Sequence, residues 1–279
     1  MKLGVLLAGR RPQDIAERLA QSREAGFSLC QLNFLETGFT RADLIATADS
    51  MLEYGIRALA VGCYVNPLRP DEPSTMGTTR ADLDLLLRSL DIIGARRVVF
   101  WSGTHAEALY DEHPENATEE SLEKLRQFVL EVARSCSART YYLVIEPWHT
   151  HVLNSENRIA DFHASLPQEV SAHVRYVLDV PNLLTPERYL ERDKHMRTIC
   201  RTIGRAAGVV HLKDCVMPPD GEPAFPGPGL GKLNYAEYLK AIFEYAAPDA
   251  PAILRNIPAS QFAAARDYLL RMSDKWELA

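Results

Sequence analysis

Short apolar runs alternate with amphipathic stretches along the whole chain. The apolar runs are too short for buried helices, and they predict strands that are buried on both faces. The stretches between them carry apolar residues three or four positions apart, which predicts helices that cover a sheet. One such helix is expected to open at a capping box, Thr79-Arg80-Ala81-Asp82, and to present a row of leucines: Leu83, Leu86, Leu87 and Leu90.

Eight strand and helix units follow one another in this way. The predicted strands run from about Leu3 to Leu7, Phe27 to Leu32, Ile56 to Cys63, Val98 to Trp101, Tyr142 to Glu146 and Tyr176 to Asp179, then from Val209 to an end between His211 and Asp214, and from Ala252 to Asn256. Alternating strands and helices predict parallel pairing, and eight units predict an α/β protein with a closed (β/α)8 barrel, the TIM barrel. An open doubly wound sheet is the alternative, but no GxGxxG motif follows the first strand.

Composition narrows the possible classes of protein. The chain has 279 residues, is 47% hydrophobic, and shows no break in composition, so we expect a single domain over residues 1–279. It has no apolar run long enough to span a membrane and no signal-peptide pattern. The net charge of −6 without a basic run argues against nucleic-acid binding. Five scattered cysteines without a CxxC pair argue against a disulfide framework, and a cytoplasmic location is expected.

Three of the predicted strands end in residue types that bind metal ions. Glu146 follows Ile145, Asp179 follows Leu178, and His211 follows Val210. One such residue would more often be structural, but the carboxyl ends of barrel strands meet at one face, so the three together predict a site. Carboxylate oxygens with one imidazole suit Mn²⁺, Mg²⁺ or Co²⁺, and zinc less readily. Such an ion could stabilise the enediolate that forms when a proton leaves a carbon next to a carbonyl.

The same stretches resemble the sugar phosphate isomerase/epimerase superfamily, the xylose isomerase-like barrels that include ketose 3-epimerases, hydroxypyruvate isomerase and inosose dehydratase. The resemblance rests on three segments and on the glycine-rich segment after strand seven: Ile145 to Pro147, Leu178 to Asn182, Val210 to Asp214 and Gly227 to Tyr235. It implies a metal-assisted isomerase, epimerase or related lyase acting on a small sugar, sugar phosphate or keto-polyol. It also implies a divalent metal (Mn, Mg, Co or Zn) and a possible homodimer.

Residue by residue, the resemblance implies that Glu146 is both a metal ligand and the catalytic base, and that Asp179 and His211 are metal ligands. Asn182 stands where many members have a substrate-contacting histidine, and it can still hydrogen-bond a hydroxyl. Lys213 either contacts a substrate oxygen during catalysis or forms an internal ion pair.

Two residues that follow strand five are further candidates for substrate contacts. Trp148, like Trp101 on strand four, could form an apolar wall for a sugar ring or simply pack inside the barrel. His149, like His151, could be an acid/base group, although loop histidines are more often solvated or bonded to backbone.

The chain departs from the superfamily pattern at the end of strand eight. A glutamate is usual there as fourth ligand and second base, but this chain has Arg255 and Asn256. An inward Arg255 would weaken cation binding and could instead clamp a phosphate or carboxylate group of a substrate. An inward Asn256 would offer only a poor ligand oxygen. On strand two, Gln31 also replaces a common glutamate.

These departures weigh against a two-base epimerase, because only one of the two bases is present. An isomerisation with one base, or a dehydration, remains compatible with the absence of the second base. The alternative hypothesis is a catalytically altered, possibly metal-free barrel that binds a small molecule, with Arg255 in place of the usual glutamate.

Overall fold

The computed structural model describes residues 1–137, 141–218 and 223–279, except for the side chains of residues 135–137. Eight parallel strands form one closed barrel in chain order. They are β1 (Leu3–Gly9), β2 (Leu29–Phe34), β3 (Arg57–Gly62), β4 (Arg97–Trp101), β5 (Tyr142–Glu146), β6 (Val174–Leu178), β7 (Ala207–Leu212) and β8 (Ala252–Leu254). The barrel closes where β1 pairs with β8, with Leu3 opposite Ala252. The predicted (β/α)8 barrel is confirmed, and closure excludes the open doubly wound sheet.

Helices surround the barrel and cover its outer face. The α-helices are α1 (Pro12–Glu24), α2 (Arg41–Tyr54), α3 (Arg80–Ile93), α4 (Glu119–Ser137), α5 (Glu156–Ala164), α6 (Gln168–Ser171), α7 (Val180–Leu183), α8 (Pro186–Tyr189), α9 (Arg192–Ile203), α10 (Tyr235–Tyr245) and α11 (Phe262–Met272). Helices α8 and α9 follow each other closely and remain separate, because the backbone of Glu191 leaves the helical region at ψ 36°. No helix in the described part of the chain combines the length and apolar character needed to cross a bilayer.

Alternation along the strands divides the core into an outer shell and a barrel interior. Successive strand residues point to opposite faces, and one set packs beneath the helices. The other set fills the inside of the barrel with buried apolar side chains, among them Ala60, Val99, Val144, Val177, Val209 and Ile253. The next inward position on each strand lies two residues further on, at the carboxyl end. The interior therefore changes from apolar to polar along the barrel axis.

Strand β8 is shorter than predicted. It ends at Leu254 rather than Asn256, and Asn256 adopts a φ of 57°. Asparagine tolerates this left-handed conformation better than most residues, and the turn leaves Asn256 exposed while Arg255 stays buried. The end of β8 thus decides which of the two residues enters the barrel.

The capping box predicted at the start of α3 is confirmed. The buried carboxylate of Asp82 accepts hydrogen bonds from Thr79 N at 2.8 Å, Thr37 Oγ1 at 2.7 Å and Gly38 N at 2.8 Å. It therefore joins the loop after β2 to the first turn of α3.

We expect Asp82→Ala to lower the free energy of unfolding by about 2–3 kcal/mol, because three partly buried donors would lose their acceptor. The matched control is Asp43→Ala, which removes the equivalent residue of the capping box on α2 and should cost about 1 kcal/mol. Urea unfolding of both variants measures the difference, and equal losses would contradict the bridging role of Asp82.

Candidate active site

Three side chains with metal-ligand chemistry converge at the carboxyl end of the barrel. Glu146 ends β5, Asp179 follows β6 and His211 lies in β7, each two residues beyond an inward valine. All three are fully buried, and one ligand atom from each lies within 4.8 Å of the others. His211 Nδ1 is 3.7 Å from Glu146 Oε1 and 3.5 Å from Asp179 Oδ2. By residue type and spacing this group could hold a divalent ion.

Arg255 enters the middle of this group. Its Nη1 donates a hydrogen bond to Glu146 Oε1 and lies 2.8 Å from His211 Nδ1. Its guanidinium carbon also lies 5.8 Å from the ring centre of Tyr64 and 6.0 Å from that of Trp101, within the range of cation–π attraction. Of the two residues that could have faced inward on β8, Arg255 does so.

The hydrogen bonds of His211 indicate which of its ring nitrogens donates. Its Nε2 lies 3.1 Å from Gln31 Oε1, an acceptor, so Nε2 carries the hydrogen. The Gln31 amide is oriented in turn, because its Nε2 donates to Asn33 Oδ1 at 3.0 Å and to Tyr64 Oη at 3.3 Å. In this arrangement His211 Nδ1 accepts a hydrogen bond from Arg255 Nη1.

Tyr64 completes a closed ring of hydrogen bonds. Its hydroxyl donates to Glu146 Oε2 at 2.8 Å. The ring consists of Arg255, His211, Gln31, Tyr64 and Glu146, and a hydrogen bond joins each member to the next. Such a network holds its members in fixed positions, since moving one breaks bonds of its neighbours.

Sequence analysis did not identify Tyr64. The strand pattern contained the signal, because Tyr64 continues the inward alternation of β3 from Ala60 through Gly62. A side chain at Gly62 would collide with Asn33 Oδ1, at 2.2 Å from the added carbon, and with the Tyr64 ring. Glycine at position 62 therefore leaves room for the side chains of Asn33 and Tyr64.

Lys213 and Asn182 lie next to the hydrogen-bonded ring of five residues. Lys213 Nζ lies 3.3 Å from Asp179 Oδ2, and it donates to Asn182 Oδ1. Asn182 Nδ2 donates to Glu146 Oε1 at 3.0 Å, so Asn182 connects the two buried ion pairs. Among the described residues, neither oxygen of Asp179 has a hydrogen-bond partner of good geometry.

Burial and neighbouring charges shift the pKa of Glu146, Arg255 and Lys213. Burial acts to raise the pKa of Glu146, but Arg255, His211 and Lys213 together outweigh it, and this pKa lies well below its ordinary value. Burial acts to lower the pKa of Arg255, but Glu146 and the other negative groups nearby together outweigh it and raise this pKa. The pKa of Lys213 is lowered, because burial outweighs the attraction of Asp179. The formal charges of these two carboxylates and two cations cancel.

The position and charge of Arg255 affect whether this group can bind a metal ion. Two of the three donor atoms that an ion would need, Glu146 Oε1 and His211 Nδ1, already accept hydrogen bonds from Arg255. A divalent ion about 4 Å from the guanidinium would meet a repulsion on the order of 8 kcal/mol at an effective dielectric constant of 20. The ligand group therefore does not fit a divalent ion while Arg255 occupies its centre.

Aromatic side chains cover the cluster. Trp148 contacts Tyr110, with ring centres 4.6 Å apart, and Phe225 at 5.5 Å. Lys213 Nζ lies 4.8 Å from the ring centre of Trp148 and 4.6 Å from that of Phe225. His149 reaches the cluster through its backbone N–H, which donates to Asn182 O at 2.8 Å. Trp148 is thus placed over the charged groups, whereas the described hydrogen bonds give the His149 ring no direct role there.

Comparison with known proteins identifies the family. Residues 19–269 match the model of the xylose isomerase-like TIM barrel, and the chain belongs to this family. No functionally curated protein matches the sequence.

Solved structures share the fold at low sequence identity. A xylose isomerase domain protein from Planctomyces limnophilus is 15% identical, with a TM-score of 0.70 over 97% of this chain and 96% of that chain. L-ribulose 3-epimerase is 17% identical, with a TM-score of 0.67 over 98% of this chain and 94% of that one. 3-Keto-D-glucoside 4-epimerase from E. coli is 15% identical, with a TM-score of 0.66 over 98% of both chains.

We expect Arg255→Met to lower the free energy of unfolding by about 3–5 kcal/mol, since it leaves the Glu146 carboxylate buried without its cation. The double variant Arg255→Met/Glu146→Gln should be more stable than the single variant, because it removes the unpaired charge. Lys194→Met is the control, because its ion pair with Glu191 is largely exposed and should contribute at most about 1 kcal/mol. Urea unfolding tests this coupling, and additive effects of the two substitutions would contradict it.

Proposed function

We propose that this protein is an isomerase or epimerase-like enzyme that removes a proton from a carbon next to the carbonyl of a small carbohydrate. We further propose that its own cations, rather than a resident metal ion, stabilise the resulting enediolate. The observation that carries the proposal is the contact of Arg255 with both Glu146 and His211 at the carboxyl end of the barrel, the end where barrel enzymes place their active sites. The family and the fold shared with sugar epimerases support it.

In this proposal Glu146 is the base. Its neighbour Arg255 keeps it ionised, as a proton acceptor must be. When a substrate oxygen takes over hydrogen bonds from Arg255, the carboxylate loses part of that stabilisation and becomes a stronger base. Arg255 therefore couples two events: Glu146 removes the proton, and negative charge appears on the substrate oxygen that Arg255 contacts.

Arg255 and Lys213 are proposed to stabilise the negative charge on the substrate. A guanidinium has five N–H donors, more than the contacts with Glu146 and His211 require. Both cations are buried, and a fixed charge in a water-poor site stabilises an oxyanion more strongly than it would in water. Asn182, between Lys213 and Glu146, is proposed to hydrogen-bond a substrate hydroxyl.

The proposal favours chemistry with a single base. A 3-epimerisation with bases on opposite faces needs a second carboxylate at the end of β8, where this chain has Arg255. Isomerisation or dehydration starts from the same proton abstraction and needs one carboxylate. The aromatic cover over the cluster must open for a substrate to enter, and Tyr110, 57% exposed, is the most accessible part of it.

A second candidate function is binding of a small molecule without turnover. It is favoured by the full use of the Glu146 carboxylate, whose Oε1 accepts from Arg255 and Asn182 and whose Oε2 accepts from Tyr64. A carboxylate held in this way is a poor base unless the ring opens. Proton exchange with solvent distinguishes the two functions.

We expect the protein as purified to contain no stoichiometric divalent metal and to show no saturable Mn²⁺ binding in titration calorimetry. Arg255→Glu, which restores a carboxylate at β8, should bind Mn²⁺ at least about tenfold more tightly, because a repulsive charge becomes a ligand. Adding Asp179→Ala to that variant should abolish the gain. Metal in the wild-type protein that is lost in Asp179→Ala would instead support a metal-assisted mechanism.

We expect the protein to catalyse exchange of a carbon-bound proton of neutral ketoses in D₂O, followed by proton NMR. Glu146→Gln should lower the exchange rate by about 10²- to 10⁴-fold. Glu156→Gln is a matched control, because Glu156 is also buried and paired with an arginine, Arg188 at 2.6 Å, but lies on α5 outside the cluster. An unchanged rate in Glu146→Gln would exclude it as the base, and no exchange by the wild type would favour the binding function.

A further inference from the structure

A cavity of about 170 Å³ lies beside the charged cluster, between the loops that follow β3 and β4. Trp101 forms part of its wall and also contacts the cluster, through Tyr64 at 4.7 Å between ring centres and through the guanidinium of Arg255. The cavity has room for several water molecules or for part of a small ligand. A ligand that occupied both the cluster and the cavity would pass along Trp101.

Three side chains that line this cavity each have a buried polar atom without a hydrogen-bond partner among the described residues: Trp101 Nε1, His151 Nδ1 and Arg69 Nε. The side chains of Trp101 and His151 are almost completely buried, at 2% and 0% exposed. The two rings are adjacent, with centres 5.4 Å apart. A buried polar group without a partner costs about 1–3 kcal/mol, so two neighbouring ones at a cavity indicate that a partner binds there.

The chemistry of these two atoms differs. The indole nitrogen of Trp101 can only donate. His151 Nε2 lies 2.8 Å from the backbone oxygen of Leu109, so Nε2 carries the hydrogen. Burial lowers the pKa of His151 to about 4, and the neutral ring therefore presents Nδ1 as an acceptor. One donor and one acceptor side by side match a hydroxyl group, which accepts and donates through a single oxygen atom.

The charges around the cavity argue against an anionic ligand. Its wall contains one cation, Arg69, and two carboxylates, Glu72 and Glu107. Arg69 is engaged in part, since its Nη1 lies 3.7 Å from Glu72 Oε2 and its Nη2 donates to Ala106 O at 3.1 Å, while its buried Nε has no hydrogen-bond partner among the described residues. A phosphate group would meet a net negative wall, whereas a neutral hydroxyl would not be repelled.

We propose that this cavity binds an uncharged, hydroxyl-bearing end of the carbohydrate substrate, with Trp101 Nε1 donating to a hydroxyl oxygen and His151 Nδ1 accepting its hydrogen. The inference rests on the proposed function, because it assumes that the carbonyl end of the same molecule lies at Arg255 and Glu146. It names the substrate class as unphosphorylated ketoses or keto-polyols. Trp101 and His151 would then determine specificity without taking part in proton transfer.

The indole N–H resonances of the protein provide a direct test. The chain has three tryptophans, and Trp101→Phe assigns the Trp101 signal. Trp276 is an internal control, because its Nε1 already donates to Leu269 O at 3.0 Å far from the cavity. Titration with dihydroxyacetone, D-ribulose and D-fructose should move the Trp101 signal downfield and saturably with at least one of them, and leave the Trp276 signal in place.

Two comparisons make the test specific. His151→Phe keeps an aromatic ring but removes the acceptor, and it should weaken binding of the active ketose roughly tenfold. The Trp276 signal reports whether this variant stays folded. D-fructose 6-phosphate should move the Trp101 signal only at concentrations equal to or higher than those of D-fructose, and tighter binding of the phosphate ester would overturn the proposal.

The outcomes separate this inference from the proposed function. Proton exchange without any movement of the Trp101 signal would overturn the hydroxyl site and leave the enzyme function standing. Movement of the Trp101 signal without exchange would support the hydroxyl site in a binding protein. No movement of the Trp101 signal with any of the three ketoses means that the cavity holds water only, and the inference fails.

Discussion

The buried pair of Arg255 and Glu146 sets the electrostatics of the whole site. Removing two charges from water is costly, and such a pair is tolerated only when further hydrogen bonds satisfy its remaining donors and acceptors. His211, Gln31 and Tyr64 supply those bonds and close them into a ring. Each of these side chains comes from a different strand or strand end, so the ion pair also fixes how the strand ends of the barrel are arranged around its mouth.

In the proposed mechanism a protein cation takes the place of a metal ion, and this changes what the site can do. Arg255 carries one charge rather than two, it is covalently fixed to β8, and its bonds are directional. Its charge, together with that of Lys213, cancels those of Glu146 and Asp179. The donor group that sequence analysis predicted as a metal site is therefore assembled in space, but its electrostatics favour a guanidinium at the centre.

The proposed substrate follows from two regions with different chemistry. The charged cluster suits the carbonyl end of a carbohydrate, where negative charge develops during proton removal. The neighbouring cavity, with Trp101 and His151 in its wall and net negative charge around it, suits a neutral hydroxylated end. Trp101 belongs to both regions. A small ketose satisfies both, whereas a phosphorylated sugar suits the first region and is repelled by the second.

The sequence by itself determined the number and order of the strands, the closed barrel, and the meeting of Glu146, Asp179 and His211 at one end. These follow from local periodicity, since strand alternation and parallel pairing place such residues without knowledge of distant contacts. Only the tertiary structure decided whether Arg255 or Asn256 faces inward, because that depends on a turn at the end of β8. It also decided that Tyr64 joins the site, and that Arg255 meets a glutamate 109 positions away in the chain. Contacts between residues so distant in sequence depend on the assembled barrel, which no local pattern encodes.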